Sequence, residues 1–107
     1  MKAIVVVPTY NEAENIPILL PRILRQSTTI EILVVDDNSP DGTGAIVDQL
    51  AEVEPRIHIL HRSQKAGLGA SYVAGFQWAL AHGADLIVQM DADFSHNPDY
   101  LSTFFAE

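Results

Sequence analysis

Four short apolar runs, each followed by a stretch suited to a helix, leave this chain few folds to choose from. The first is the β-branched run Ile4-Val5-Val6-Val7, stopped by Pro8, which reads as a buried strand. From Ile16 the apolar positions are 16, 19, 20, 23 and 24, the spacing of one helix face. Asn11 or Asn15 can cap that helix and Pro17 suits its first turn, whereas Pro21 is an awkward interior residue. A second run, residues 30–35, ends in Asp36-Asp37-Asn38-Ser39. The turn residues Ser39-Pro40-Asp41-Gly42-Thr43 then lead into helical spacing at Ile46, Val47, Leu50 and Val53. Residues 56–60 make a third, shorter strand. Gly67-Leu68-Gly69 opens a helix expected to carry Leu68, Tyr72, Val73, Phe76, Ala79 and Leu80 on one side and to end at His82-Gly83. Residues 85–90 form the fourth strand, and Pro98 begins a fourth helix.

Unbroken apolar strands separated by helices predict an α/β fold. Its mainly parallel sheet is covered on both faces, a three-layer, Rossmann-like arrangement. In such sheets ligands bind beyond the carboxyl ends of the strands. That rule gathers Pro8-Thr9-Tyr10-Asn11-Glu12, Asp36-Asp37-Asn38-Ser39 and Asp91-Ala92-Asp93 on one rim. At 107 residues the chain reads as one modest domain. Fourteen acidic against six basic residues give a net charge of −8, which argues against a nucleic-acid binder. The absence of cysteine excludes disulfides, thiolate metal sites and a cysteine nucleophile. No apolar run approaches the roughly 20 residues that span a bilayer, and the first residues do not read as a signal peptide.

Asp91 and Asp93 are the sharpest feature. In an extended segment residues i and i+2 point the same way, so both carboxylates can reach one site. Hard oxygen ligands suit Mg²⁺ or Mn²⁺, ions that keep waters and bridge phosphates. An EF-hand is excluded, because His96 stands where its loop needs glycine and Ser102 where it needs glutamate. The plainer alternative is a pair of solvated aspartates capping the helix near Pro98. Of Asp36 and Asp37, one can face the crevice and accept hydrogen bonds from a base or ribose while its neighbour ties down the Asn38-Ser39-Pro40 turn. Gly67-Leu68-Gly69 matches neither G-x-G-x-x-G nor a Walker A loop; a tight turn or close approach of helix to sheet explains the glycines equally well. Lys65 can neutralise a phosphate or simply be solvated. His58 and His61 point to opposite faces of a strand and receive no metal. Tyr72, Phe76 and Trp78 read as core.

Taken together, Val7-Pro8-Thr9-Tyr10-Asn11-Glu12, Val35-Asp36-Asp37-Asn38-Ser39-Pro40-Asp41-Gly42-Thr43, Gly67-Leu68-Gly69 and Asp91-Ala92-Asp93-Phe94-Ser95-His96-Asn97-Pro98 resemble the inverting glycosyltransferases of family 2. The likeness is greatest to the dolichyl- and polyprenyl-phosphate mannose synthase branch. The resemblance implies a GT-A fold and a nucleotide-sugar donor, GDP-mannose. It implies that Pro8, Tyr10, Glu12, Val35 and Asp37 surround base and ribose, and that Asp91, Ala92 and Asp93 meet the diphosphate. Asp91 and Asp93 would hold the Mg²⁺ or Mn²⁺ and carry the catalytic role. A metal on the diphosphate stabilises the leaving group, the main demand of glycosyl transfer. A dolichyl or polyprenyl phosphate acceptor is already anionic, so no strong general base is required. It implies, too, a cytoplasmic location, peripheral at the membrane face.

The family's catalytic domain is roughly twice this length. Residues 1–107 are therefore expected to be its nucleotide-sugar-binding N-terminal part, incomplete for catalysis. An isolated half leaves a sheet edge and an apolar face uncovered, which invites self-association. Three rival readings stand beside this one. A receiver-like phosphoacceptor domain fits the acidic strand ends, but a whole strand-helix unit precedes the Asp36-Asp37 pair and no room follows Asp91 for a later lysine strand. A haloacid-dehalogenase-like phosphatase would carry D-x-D on its first strand, not its fourth. A non-catalytic nucleotide-binding module is the other alternative.

Overall fold

A computed structural model describes residues 2–63 and 67–92. Seven elements alternate along them: β1 (Ala3–Thr9), α1 (Ile16–Leu24), β2 (Ile30–Asp36), α2 (Thr43–Val53), β3 (Ile57–His61), α3 (Leu68–Ala81) and β4 (Leu86–Gln89). The expected helix from Pro98 lies outside the described residues, as do Lys65 and Asp93. The four strands pair in parallel in the order β3-β2-β1-β4, so the α/β expectation is met.

Alternate residues of each central strand feed opposite layers. Val5 and Val7 of β1, with Ile32 and Val34 of β2, pack against Ile16, Leu19, Leu20 and Ile23 of α1 and Val47 of α2. Ile4, Val6, Leu33 and Val35 form the core on the other face, with Ala79 of α3. This double burial is why the strands read as runs rather than alternations. The chain steps outward from β1 to β2 to β3, then crosses back to place β4 on the far side of β1. Between β1 and β4 the strand order reverses, which opens a crevice beyond their carboxyl ends.

Several local expectations are corrected. β1 does not stop at Pro8 but runs through it, pairing Pro8 with Val35 and Thr9 with Asp36. Met90 N donates to Val6 O and Asp37 N to Thr9 O, so alternate residues of β1 turn toward β4 and β2. Pro8, in step with Val6, lacks its N–H on the β4 side, where the ladder has already ended at Val6 and Gln89. Helix α1 continues through Pro21, with Ile16, Leu19, Leu20 and Ile23 of its apolar face fully buried and Leu24 partly so. Asn15 sits at the N-cap but makes no capping bond; its side-chain amide donates to Glu12 Oε2 instead.

On α3 the expected core residues Val73 and Leu80 are 55% and 66% exposed, and Val53 of α2 is 81% exposed. The helix seats itself through a small-residue stripe of Ser71, Gly75 and Ala79. A Cβ on Gly75 would lie 2.4 Å from Val6 Cγ1, so this glycine, rather than Gly67 or Gly69, is where helix and sheet approach most closely. Gly67 has φ +94°, the turn role foreseen for it, and Gly69 has open space around its Cα.

Candidate nucleotide-binding site at the strand ends

The loop after β1 and the turn after β2 are knitted side by side. Successive backbone N–H groups of Asn11, Glu12 and Ala13 donate to Ser39 Oγ (3.0 Å), Thr43 Oγ1 (3.0 Å) and Asp41 Oδ2 (3.1 Å). The Ser-Pro-Asp-Gly-Thr turn is therefore the frame for Tyr10-Asn11-Glu12. Gly42, at φ +88°, supplies the left-handed residue that this turn needs before α2. Thr43 also donates its N–H and hydroxyl to Asp41. That hydroxyl chiefly, aided by the N–H groups of Ala13 and Thr43, holds Asp41 below its ordinary value against a smaller desolvation effect. Tyr10 is 38% exposed on the loop, while Pro8 and Val35 lie buried beside one another in the sheet.

The two neighbouring aspartates divide their work. Asp36 accepts hydrogen bonds from Thr9 Oγ1 (2.7 Å), Ser39 Oγ (2.6 Å) and Ser39 N (3.0 Å), so it ties β1 to the turn. Asp37 is only 4% exposed. Its Oδ2 accepts the hydroxyl of Ser71 at 2.8 Å, yet its Oδ1 is buried without a hydrogen-bond partner. Arg62 Nε stands 3.5 Å from that oxygen, close enough for charge compensation but not aligned as a donor. Arg62 is itself anchored, its N–H to Asp36 O at 2.8 Å and its Nη1 to Ala70 O at 2.7 Å. Buried polar atoms rarely stay unpaired, and an orphan carboxylate oxygen at a strand-end rim is a natural acceptor for a ligand N–H or O–H.

Across β1, Asp91 follows β4 and is half-buried, its Oδ1 accepting the Tyr72 hydroxyl at 2.7 Å. Ala92 is buried beside it. The rim thus brings together Pro8, Tyr10, Glu12, Val35, Asp37, Asp91 and Ala92; Asp93 lies outside the described residues. Among the described residues no cluster of three or more metal-ligating side chains occurs. Asp91, one of the two expected metal ligands, offers hard oxygens suited to Mg²⁺ or Mn²⁺. His58 and His61 do point apart: His58 pairs with Glu31 at 2.8 Å and His61 with Asp48 at 3.0 Å. Ser71 and Tyr72 are the residues that sequence reasoning missed, since nothing in helical spacing distinguishes a hydroxyl aimed at the rim from a core side chain.

Comparison with known proteins agrees with this architecture. A family model described as "Glycosyl transferase family 2" matches residues 4–107. The polyprenol monophosphomannose synthase of Mycolicibacterium smegmatis is 53% identical over 102 residues, covering 94% of this chain and 38% of that protein. The undecaprenyl-phosphate mannosyltransferase of Micrococcus luteus is 48% identical over 101 residues, covering 94% and 42%. Among solved structures, the mannosyltransferase PcManGT of Pyrobaculum calidifontis, in complex with GDP-Man and Mn²⁺, superposes with a TM-score of 0.71 at 33% identity, covering 86% of this chain and 27% of that one. S. aureus TarS 1–349 gives 0.81 at 28% identity, covering 99% and 32%. The chain thus spans about two fifths of the length of the curated relatives it matches.

Proposed function

The chain belongs to glycosyl transferase family 2, and we propose that it forms the donor-binding part of an enzyme that transfers mannose from GDP-mannose to a polyprenyl or dolichyl phosphate, with inversion. One observation carries this reading: two relatives at about half identity over 94% of the chain are both named for joining mannose to a polyprenol phosphate. The solved mannosyltransferase with GDP-Man and Mn²⁺ supports the choice of donor and of a divalent cation. Tyr10 lies beside the base and Glu12 fixes the loop around it, with Pro8 and Val35 as the floor. Asp37 Oδ1, which has no hydrogen-bond donor among the described residues, accepts a hydrogen bond from the base or ribose. Asp91 and Asp93 would hold Mn²⁺ or Mg²⁺, and Ala92 would meet the diphosphate beside them. When bound, the cation stabilises the charge of the departing nucleoside diphosphate. The phosphate acceptor lies in a membrane, so the enzyme works at its cytoplasmic face.

The test follows from the length. Because the chain spans about two fifths of its relatives, binding rather than turnover is the property to measure in it. Calorimetric titration with GDP-mannose, GDP and UDP, each with and without Mn²⁺, is expected to give binding that favours the guanine nucleotides and strengthens with the metal. Asp93→Asn is expected to abolish the metal dependence. Equal affinity for UDP and GDP, or indifference to Mn²⁺, overturns the reading.

A further inference from the structure

We infer that Ser71 and Tyr72, adjacent residues in the first turns of α3, are positioning residues that aim the two rim carboxylates, Asp37 and Asp91, at the donor nucleotide. The inference deepens the function proposed above and rests on it. Successive residues of an α-helix project about 100° apart, so two neighbouring hydroxyls diverge across the helix face. Here they span the crevice. Ser71 Oγ donates to Asp37 Oδ2 at 2.8 Å, at the end of β2, and Tyr72 Oη donates to Asp91 Oδ1 at 2.7 Å, past the end of β4. The strand between them, β1, carries the loop with Tyr10.

The seat of the helix makes this placement rigid. Gly75 brings α3 against Val6 and Val35, and Ala79 is fully buried on the same stripe. Ser71 is itself 2% exposed, one turn before Gly75. Its single hydroxyl proton has two acceptors in reach, Asp37 Oδ2 at 2.8 Å and Gly67 O at 3.2 Å, and the shorter bond to the charged group wins. A carboxylate has about four lone-pair sites, so one hydroxyl fixes its orientation and leaves it able to accept more. For Asp37 that leaves Oδ1, which is buried without a hydrogen-bond partner among the described residues and 3.5 Å from Arg62 Nε. The division of labour is specific: Ser71 acts on the carboxylate read as meeting base or ribose, Tyr72 on the one read as meeting diphosphate and metal.

Ser71→Ala and Tyr72→Phe remove one oxygen each and can be compared with the parent by calorimetric titration of GDP, with and without Mn²⁺. Val73→Ala, at an exposed position of the same helix, is the control. Ser71→Ala is expected to weaken GDP roughly tenfold whether or not Mn²⁺ is present. Tyr72→Phe is expected to leave metal-free GDP binding as in the parent and to remove most of the gain that Mn²⁺ provides. Thermal melting shows whether a variant has lost its fold, and this crossed pattern is one that a purely structural role does not produce. Parent-like GDP affinity and Mn²⁺ dependence in both variants overturns the inference. So does an equal weakening of both under all conditions. A parent chain that binds no GDP in either condition refutes the functional reading itself, which is a separate result.

Discussion

Adding a single methyl group at Gly75 tests the seat on which the rim depends. The new Cβ would lie 2.4 Å from Val6 Cγ1 and 3.3 Å from Val35 Cγ2. Carbon atoms pack at about 3.5–4.0 Å, so Val6 or the helix must yield by more than about 1 Å. Val6 is fully buried and β-branched, and its side chain has little rotamer freedom with which to escape. Overpacking of this kind costs about 1–3 kcal/mol, offset by up to about 1 kcal/mol from alanine's better helix propensity. Gly75→Ala is therefore expected to lose about 1–2 kcal/mol of stability. Urea unfolding followed by the fluorescence of Trp78, which sits on α3, measures it. Gly69→Ala provides the contrast: no atom lies within 4 Å of its added Cβ, and it is expected to gain roughly 0.5 kcal/mol. A second check is Val6→Ala, which removes the clashing atom and should cost less in the Gly75→Ala background than in the parent. A Gly75→Ala chain as stable as the parent, or strict additivity in the pair, refutes the close-approach argument.

Three further outcomes are expected. Asp36→Ala strands the buried hydroxyl of Thr9 and removes the acceptor of two half-buried Ser39 donors, and should cost about 2–3 kcal/mol in urea unfolding; a loss under about 1 kcal/mol contradicts its role as a structural tie. Asp41 is held below its ordinary value, so its contribution to stability is complete above about pH 4 and is lost as pH falls through its depressed folded-state value. The stability gap between the parent and Asp41→Asn should accordingly narrow in acid, and a gap that stays constant from pH 6 to about pH 2.5 would refute the linkage. Finally, Leu86, Ile87 and Val88 are only half-buried on β4, which has no neighbour on its far side among the described residues. Light scattering is expected to show concentration-dependent association of the 107-residue chain; a clean monomer across a wide range excludes it.

The layers of the fold were legible because burial on both sides of a strand leaves a simple trace. A residue such as Val5 and its neighbour Val6 must both be apolar when one packs under α1 and the other under α3. The strand boundaries were less legible. Pro8 breaks a run in the sequence, yet whether a proline breaks a strand depends on which neighbour its absent N–H would have faced, and that is a property of the register. Likewise Val53 and Leu80 have apolar side chains at helical spacing, yet both stay exposed, because spacing alone does not say which side of a helix the sheet will cover.

At the site, the acidic strand ends could be read directly because a parallel sheet fixes where its carboxyl ends lie. The partition between Asp36 and Asp37 could be anticipated in outline from the residues, but only the family resemblance singled out Asp37, because both precede the same turn. What assigns it is the alternation of β2. Asp36 lies opposite Thr9 in the ladder and takes that residue's hydroxyl, whereas Asp37, one step on, turns to the α3 side and meets Ser71. Tyr72 does pack against the core beneath α3, and its hydroxyl reaches the rim as well. The line of closest approach on α3 is marked by the small residues Ser71, Gly75 and Ala79, which let the helix come close to Val6, with Tyr72 and Trp78 packed partly buried beside it. Once that stripe is taken as the contact line, Tyr72 falls immediately beside it near the helix's N-terminal end, next to the carboxyl ends of the strands. A long side chain there has the rim within reach, and its hydroxyl finds Asp91.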